Sequence, residues 1–351
     1  MCIAGGKRCE YADAVTNVRK KALYKFRNEN EYTQANKVED AVRQFQKDNP
    51  ELVKAHMPKK MGFQYDPPKW SVPQSLMDTL GPKREPATGA QSREEFFQKY
   101  KDLNDQRKEW EKTASREAIN DMHRYTMTNF EVVNAHLRGK GNSEWKKSRR
   151  FMHSNKSQNY KEWAAERIEP EISNMDAVID NITLRDEPQK VYRFFRVPNG
   201  VKPDEYIASY MQPGSGFKDK GYLSTSADPE YVASHVMHRS LANNESSHQY
   251  VVMEILTKRG ASMSPYETPH VGNVQSLEAE VLLPRNAGMR IIDSCKKKVV
   301  FGTHRKDLEE QYRGRDGSRL DFSQGKSKSF TMVRMIDEEL IREVRKQSRN
   351  K

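Results

Sequence analysis

Glu278 and Glu280 stand two residues apart, with Ala279 between them and Val281-Leu282-Leu283-Pro284 behind. A run of Val and Leu stopped by proline reads as a buried strand. Side chains alternate across a strand, so this spacing predicts both carboxylates on one face and Ala279 on the other. Two carboxylates at the mouth of a buried strand repel each other and lose solvation unless a cation or hydrogen-bond donor meets them. The chain offers a cation in Arg193, set between Val191-Tyr192 and Phe194-Phe195. It offers hydroxyls in Ser224-Thr225-Ser226, which end the short run Gly221-Tyr222-Leu223. Such a set could clamp a phosphate, stabilise positive charge developing on a reacting carbon, and take a proton from an incoming nucleophile. Taken singly, each piece has an ordinary reading: a wet strand face, a turn, an edge arginine. Set among apolar runs, the arginine and the carboxylates are most economically satisfied by one another.

The elements that must position these residues follow from composition and punctuation. Residues 11 to 56 carry helix formers and no Gly or Pro before Pro50, which predicts one or two charged helices. From Pro58 to Ala90 the prolines predict a linker or an irregular wrap. Helix resumes from Ser92 to about Met122. Thr128-Asn129-Phe130-Glu131 has the spacing of a capping box, with Phe130, Val133 and Leu137 on one face of the helix that follows and Gly139 and Gly141 ending it. More helix is expected through Trp163 and the 170s. After Asn181 seven short β-rich segments follow: 191–197, 221–225, 249–256, 278–283, 289–292, 299–302 and 330–336. Asp228-Pro229 marks a helix start, with Val232 and Val236 facing inward. The order implies an α+β protein whose core is a sheet sandwich. The expected divisions are a charged helical region at 1–57, a Pro-rich linker and helix at 58–112, a catalytic domain at 113–340, and a basic tail at 341–351 that frays.

The 351 residues are only 35% apolar and 31% charged, which points to solvated helices beside the core. No apolar run approaches the length of a membrane span, and the start lacks a Sec-type signal peptide, so synthesis in the cytoplasm is expected. A net charge of +12 favours an acidic partner, including a nucleic-acid-associated one, although the charges are interleaved throughout. Three cysteines exclude a disulfide framework. Cys2 and Cys9 could be half of a metal knuckle, but nothing completes it, and His235 with His238 is a pair without further ligands. No metal is expected. Arg239 could reach a phosphate, and Trp145 and Trp163 are expected to anchor helices.

The order aromatic-Arg at Tyr192-Arg193, then Ser224-Thr225-Ser226, then Glu278-Ala279-Glu280-Val281-Leu282-Leu283-Pro284-Arg285 resembles the mono-ADP-ribosyltransferases of the Arg-Ser-Glu class. These include actin- and Rho-modifying bacterial exoenzymes and bacteriophage transferases. The segment with Tyr125, Asn134, Leu137 and Arg138 is similar to the family's helix over the nicotinamide end of NAD. The resemblance covers roughly residues 113 to 340. It implies a split β-sandwich with flanking helices, NAD as co-substrate without a metal, and transfer of ADP-ribose to a protein. By the same resemblance Arg193 clamps the pyrophosphate, Glu280 bonds the ribose, and Ser224 orients Glu280. Thr225, Ser226, Tyr125 and Asn134 complete the NAD site. The nicotinamide ring stacks on Phe194, Phe195 or Tyr222. Glu278 meets the acceptor, and Glu at that position goes with arginine, so a target protein with an accessible arginine is expected, in the cytoplasm of the producer or of a host. The alternatives are an NAD glycohydrolase, or an inactive nucleic-acid-binding or structural protein on the same scaffold. Two departures stand out. Gln275 occupies a place where many relatives carry an aromatic, and Tyr266 is the substitute aromatic upstream. The stretch from Lys296 to Ser329 reads as an insertion between late strands.

Overall fold

The computed structural model describes residues 7–29, 31–56, 63–81, 93–142, 159–182, 185–197, 201–229, 231–233, 236, 250–263, 278–300 and 327–350. Its centre is one mixed sheet of nine strands in the order β1-β3-β8-β9-β5-β2-β4-β7-β6. They are β1 (Phe63–Tyr65), β2 (Gln189–Arg196), β3 (Gly216–Lys218), β4 (Leu223–Ser226), β5 (Tyr250–Thr257), β6 (Ala261–Ser262), β7 (Glu280–Leu283), β8 (Gly288–Val300) and β9 (Ser327–Asp337). The α+β class therefore holds, with more strands than the seven segments expected. The run at 289–292 and residues 299–300 of the run expected at 299–302 belong to a single long β8, residues 301–302 lie outside the described residues, and β1, β3 and β6 are additional. These three strands have two or three residues each, too short for an alternation to show.

The apolar runs are explained by burial on both faces. All eight residues of β5 are buried. Val251, Met253 and Ile255 enter one core cluster, while Tyr250 and Val252 enter another on the opposite face. In β7, Val281 and Leu283 join the first cluster and Leu282 joins a third, formed with the helices. That third cluster is built by Trp110 of α6 (Lys101–Thr113), Met122 of α7 (Arg116–Arg124), Val133 of α8 (Phe130–Leu137), and Ile168 and Met175 of α9 (Tyr160–Asn181). Asn159 opens α9 with a complete capping box, its side chain accepting from Lys161 and Glu162.

Several helical expectations need correction. The described N-terminal region forms three helices, α1 (Lys7–Lys25), α2 (Glu31–Asp48) and α3 (Pro50–His56); α4 (Gln74–Leu80) and α5 (Arg93–Lys99) precede α6, and α10 (Pro203–Tyr210) lies between β2 and β3. Thr128 does not open a helix: the chain runs from α7 straight through a π-helical turn, Tyr125–Asn129, into α8. The Thr128 hydroxyl instead bonds back to the Arg124 carbonyl at 3.1 Å, inside the continuing helix. Phe130 accordingly turns outward, 43% exposed, while Val133 is fully buried. Of the two readings of the Pro-rich stretch, the irregular wrap holds for its described part, residues 63–81, and the free linker does not. Arg290 bonds the carbonyls of Pro68 and Trp70, Arg334 that of Gly81 at 2.7 Å, and Arg345 that of Ser71 at 2.8 Å. The basic tail does not fray over most of its length. It continues helix α11 (Glu338–Arg349), capped by Asp337 and held to the sheet by Leu340 and Ile341. Between β8 and β9 the expected insertion shrinks at both ends, since β8 extends to Val300 and β9 begins at Ser327; residues 301–326 lie outside the described residues.

Candidate active site

The sheet opens between β2 and β4. These strands pair at one position, Tyr192 with Ser226, although β2 pairs with β5 along its whole length. Backbone groups on the parting edges need other partners. Arg193 supplies one, its Nη1 donating to the Ser224 carbonyl at 2.5 Å. The guanidinium thus ties the two halves of the sheet across the gap, half-buried. Burial lowers its pKa, opposed by Asp219 and Glu280 nearby, while Arg138 lowers it further.

On the far side of the gap, Ser224 Oγ donates to Glu280 Oε1 at 2.6 Å. Glu280 is 5% exposed. Burial pushes its carboxyl pKa upward, and the Ser224 hydroxyl, the Thr126 hydroxyl and Arg193 hold it back without cancelling the shift. Thr126 sits on the π-helical turn, where its buried Oγ1 adjoins the carboxylate without satisfying hydrogen-bond geometry.

Glu278 is reached differently from the way alternation along a strand predicts. The strand begins at Glu280, and Ala279 is left-handed with φ 45°. For a residue with a side chain that conformation is uncommon and needs support from its surroundings. The support is visible. Ser226 Oγ donates to the Glu278 carbonyl at 2.5 Å, and the Ala227 amide donates to the Ala279 carbonyl at 2.9 Å. The chain therefore turns between the two glutamates. Even so, they remain neighbours: burial first, then the charge on Glu280, raises the pKa of Glu278, and the Tyr231 hydroxyl, donating to Glu278 Oε1 at 2.6 Å, lowers it.

The roof comes from α8 and the π turn. Asn134 Nδ2 donates to the Tyr125 hydroxyl at 2.8 Å. Tyr125 meets Tyr222 edge-on at 5.5 Å, and burial raises its pKa. Among the described residues Asn134 Oδ1 is buried with no hydrogen-bond partner. Arg138 grips Asp219 with two bonds of 2.8 and 2.7 Å, and the Gly221 amide donates to the same carboxylate at 2.9 Å. Gly221 has to lack a side chain, since a Cβ there would lie 2.3 Å from Asn134 Oδ1.

The structure thus brings together Arg193, Ser224, Glu278, Glu280, Tyr125 and Asn134. It commits Thr225 and Ser226 elsewhere: both are buried, and their hydroxyls bond the backbone carbonyls of Val281 and Glu278. The expected stacking rings are likewise spent. Phe195 and Tyr222 are 3% and 0% exposed, and Phe194 packs on the opposite face of β2 from Arg193, against Tyr250. Trp163 packs on the helical core cluster as expected. Tyr231, Thr126 and Asp219 were not singled out in the sequence. For Tyr231 a signal existed, because the helix start at Asp228-Pro229 places it in the first turn. Thr126 and Asp219 carry none. Cys2, Trp145, His235, His238, Arg239, Tyr266 and Gln275 lie outside the described residues. Among the described residues no group of three His, Cys, Asp or Glu could hold a metal ion, and no helix is long and apolar enough to cross a membrane.

Residues 101–312 match the sequence model of the ADP-ribosyltransferase exoenzyme family. No protein of curated function matches the chain. Solved structures that it resembles include the Vis toxin, an ADP-ribosyltransferase from Vibrio splendidus, with a TM-score of 0.42 at 16% identity over 74% of this chain and 90% of that one. The enzymatic component C2-I of the C2 toxin from Clostridium botulinum follows with 0.39 at 10% identity, over 66% of this chain and 46% of that one. Plx2a, an ADP-ribosyltransferase toxin from Paenibacillus larvae, gives 0.37 at 17% identity, over 68% and 95%.

Proposed function

The chain belongs to the ADP-ribosyltransferase exoenzyme family, whose co-substrate is NAD, and we propose that it transfers ADP-ribose to an arginine side chain of a target protein and releases nicotinamide. The observation that carries the arginine reading is Glu278 beside Glu280, the first held by Tyr231 and the second by Ser224. The donor set fits NAD. Arg193 gives one bond to the Ser224 carbonyl and has further donors for a pyrophosphate. Glu280 offers a carboxylate to a ribose hydroxyl, and Asn134 Oδ1 is a buried acceptor still to be satisfied.

When bound, NAD supplies an ADP-ribosyl group through cleavage of its nicotinamide–ribose bond, the bond electrons leaving with nicotinamide. Positive charge then grows on the ribose, and Glu280 stabilises it in the transition state more than in the ground state. Ser224 holds Glu280 in place for this. Glu278 can hold a guanidinium nitrogen through its carboxylate and take the proton released as a guanidine nitrogen bonds to the ribose carbon. Its raised pKa suits that task, since a base works best when its pKa lies near the operating pH.

The decisive experiment is incubation with labelled NAD and a cell lysate, followed by mass spectrometry of labelled peptides. Modified arginines support the proposal. Label confined to free ADP-ribose would assign an NAD glycohydrolase instead, and modified asparagine or cysteine would overturn the acceptor.

A further inference from the structure

Glu278 and its neighbour Ala279 are fastened at three points by the end of β4 and the segment that follows it. Ser226 bonds its carbonyl, Ala227 bonds the carbonyl of Ala279 next to it, and Tyr231 bonds its side chain. That segment is itself anchored. The Asp228 amide donates to Ser226 Oγ at 2.9 Å, and the Tyr100 hydroxyl donates to the Ala227 carbonyl at 3.3 Å. The helical turn starting at Pro229 then seats Val232 and Val236 in the core, each under 5% exposed, and this aims the Tyr231 ring back toward Glu278. Tyr231 is half-buried and packs against the core itself.

We propose that Tyr231 is the positioning residue of the acceptor subsite: its hydroxyl holds Glu278 Oε1, turns the carboxylate toward the acceptor, and keeps it able to take a proton. This inference rests on the arginine-transfer reading. Oε2 carries no protein hydrogen bond among the described residues, which leaves it for a guanidine nitrogen. The groups that face the Glu278 carboxylate among the described residues are Glu280, from β7, and Tyr231, from the helical turn. Glu280 disfavours the ionised form and Tyr231 favours it. A donor to a carboxylate stabilises its charged state, so removing the hydroxyl leaves burial and Glu280 unopposed. The role differs from that of Ser224, which holds the other glutamate and acts on NAD cleavage.

The test compares wild type with Y231F, E278Q and the double variant, measuring nicotinamide release without an acceptor and transfer to agmatine, a small guanidine. Phenylalanine keeps the ring and its packing. Y231F is expected to lower transfer roughly tenfold more than it lowers NAD hydrolysis, the size of one charge-assisted hydrogen bond. Its transfer rate should need a pH higher by about one unit to reach half its maximum. With Glu278 already replaced, Y231F should add little further loss. Parallel loss of hydrolysis and transfer, or an unshifted pH profile, would overturn the positioning role while the family activity stands. A wild-type protein that cleaves NAD yet never modifies agmatine, or any arginine in a lysate, removes the arginine reading itself, and the inference with it.

Discussion

Ser224 and Glu280 meet diagonally across adjacent antiparallel strands, not face to face: the register pairs Ser224 with Leu282 and Glu280 with Ser226, yet the hydroxyl reaches the carboxylate at 2.6 Å. The offset is one that diagonal neighbours in a sheet can span. The parting of β2 from β4 leaves the Ser224 carbonyl to Arg193, so one residue links the guanidinium and the carboxylate.

Ser224→Ala removes the donor while the strand keeps its register. Nicotinamide release should fall roughly tenfold or more, the scale of a hydrogen bond to a charged group. The Glu280 carboxyl, already shifted upward by burial, should rise further. The acidic limb of the pH–rate profile should therefore move to higher pH. A profile that does not move removes the bond from the mechanism.

Glu280→Gln should cut nicotinamide release by roughly a hundredfold or more, as expected for loss of a charge stabiliser at the reacting centre. Melting temperature at pH 8 should hold or rise, because a buried ionised carboxylate is replaced by a neutral amide. Wild-type activity in this variant would show that another group stabilises the ribose.

Gly221→Ala places a Cβ 2.3 Å from Asn134 Oδ1 and 3.2 Å from an Arg138 nitrogen. Asn134 has to move, breaking its bond to the Tyr125 hydroxyl at the roof. Destabilisation of about 1–3 kcal/mol is expected by analogy with overpacking, together with a higher KM for NAD. Urea denaturation and steady-state kinetics check both. An unchanged KM would mean that Asn134 does not touch the nucleotide.

Glu171 is 2% exposed on α9, accepting one bond from Asn129 at the end of the π turn. Burial, with Asp121 nearby, pushes its pKa up to about 7 from 4.5, Asn129 and Arg124 opposing. The folded state then binds a proton that the unfolded state has already released. This stabilisation is complete below about pH 4.5 and is lost as pH rises through about 7. Glu171→Gln should flatten that part of the stability curve, worth up to about 3 kcal/mol between the two limits. Melting curves at pH 5 and pH 8 measure it, and an unchanged slope would contradict the assignment.

The strands buried on both faces were plain in the sequence, because Val251 to Leu256 and Val281 to Leu283 carry apolar side chains toward clusters on either side. The three extra strands were not, because Phe63–Tyr65 sits in a proline-rich stretch and draws its partner, Gly216–Lys218, from far along the chain. The π turn was also hidden. Its residues read as a helix start when taken locally, and only packing of Tyr125 under Tyr222 shows that the helix runs on. Among the site residues, those with charge in an apolar setting were legible. Thr225 and Ser226 were placed in the right strand, but their bonds to the Val281 and Glu278 carbonyls were not legible, since the bonding of a hydroxyl depends on backbone that arrives from elsewhere.

Because the backbone turns left-handed at Ala279, Glu278 stands outside the ladder that pairs Glu280 with Ser226 and is held by separate bonds from Ser226 and Tyr231. On the proposed arginine-transfer reading, the choice of acceptor and the breaking of the nicotinamide bond then answer to two different fastenings, and one can change while the other keeps its alignment.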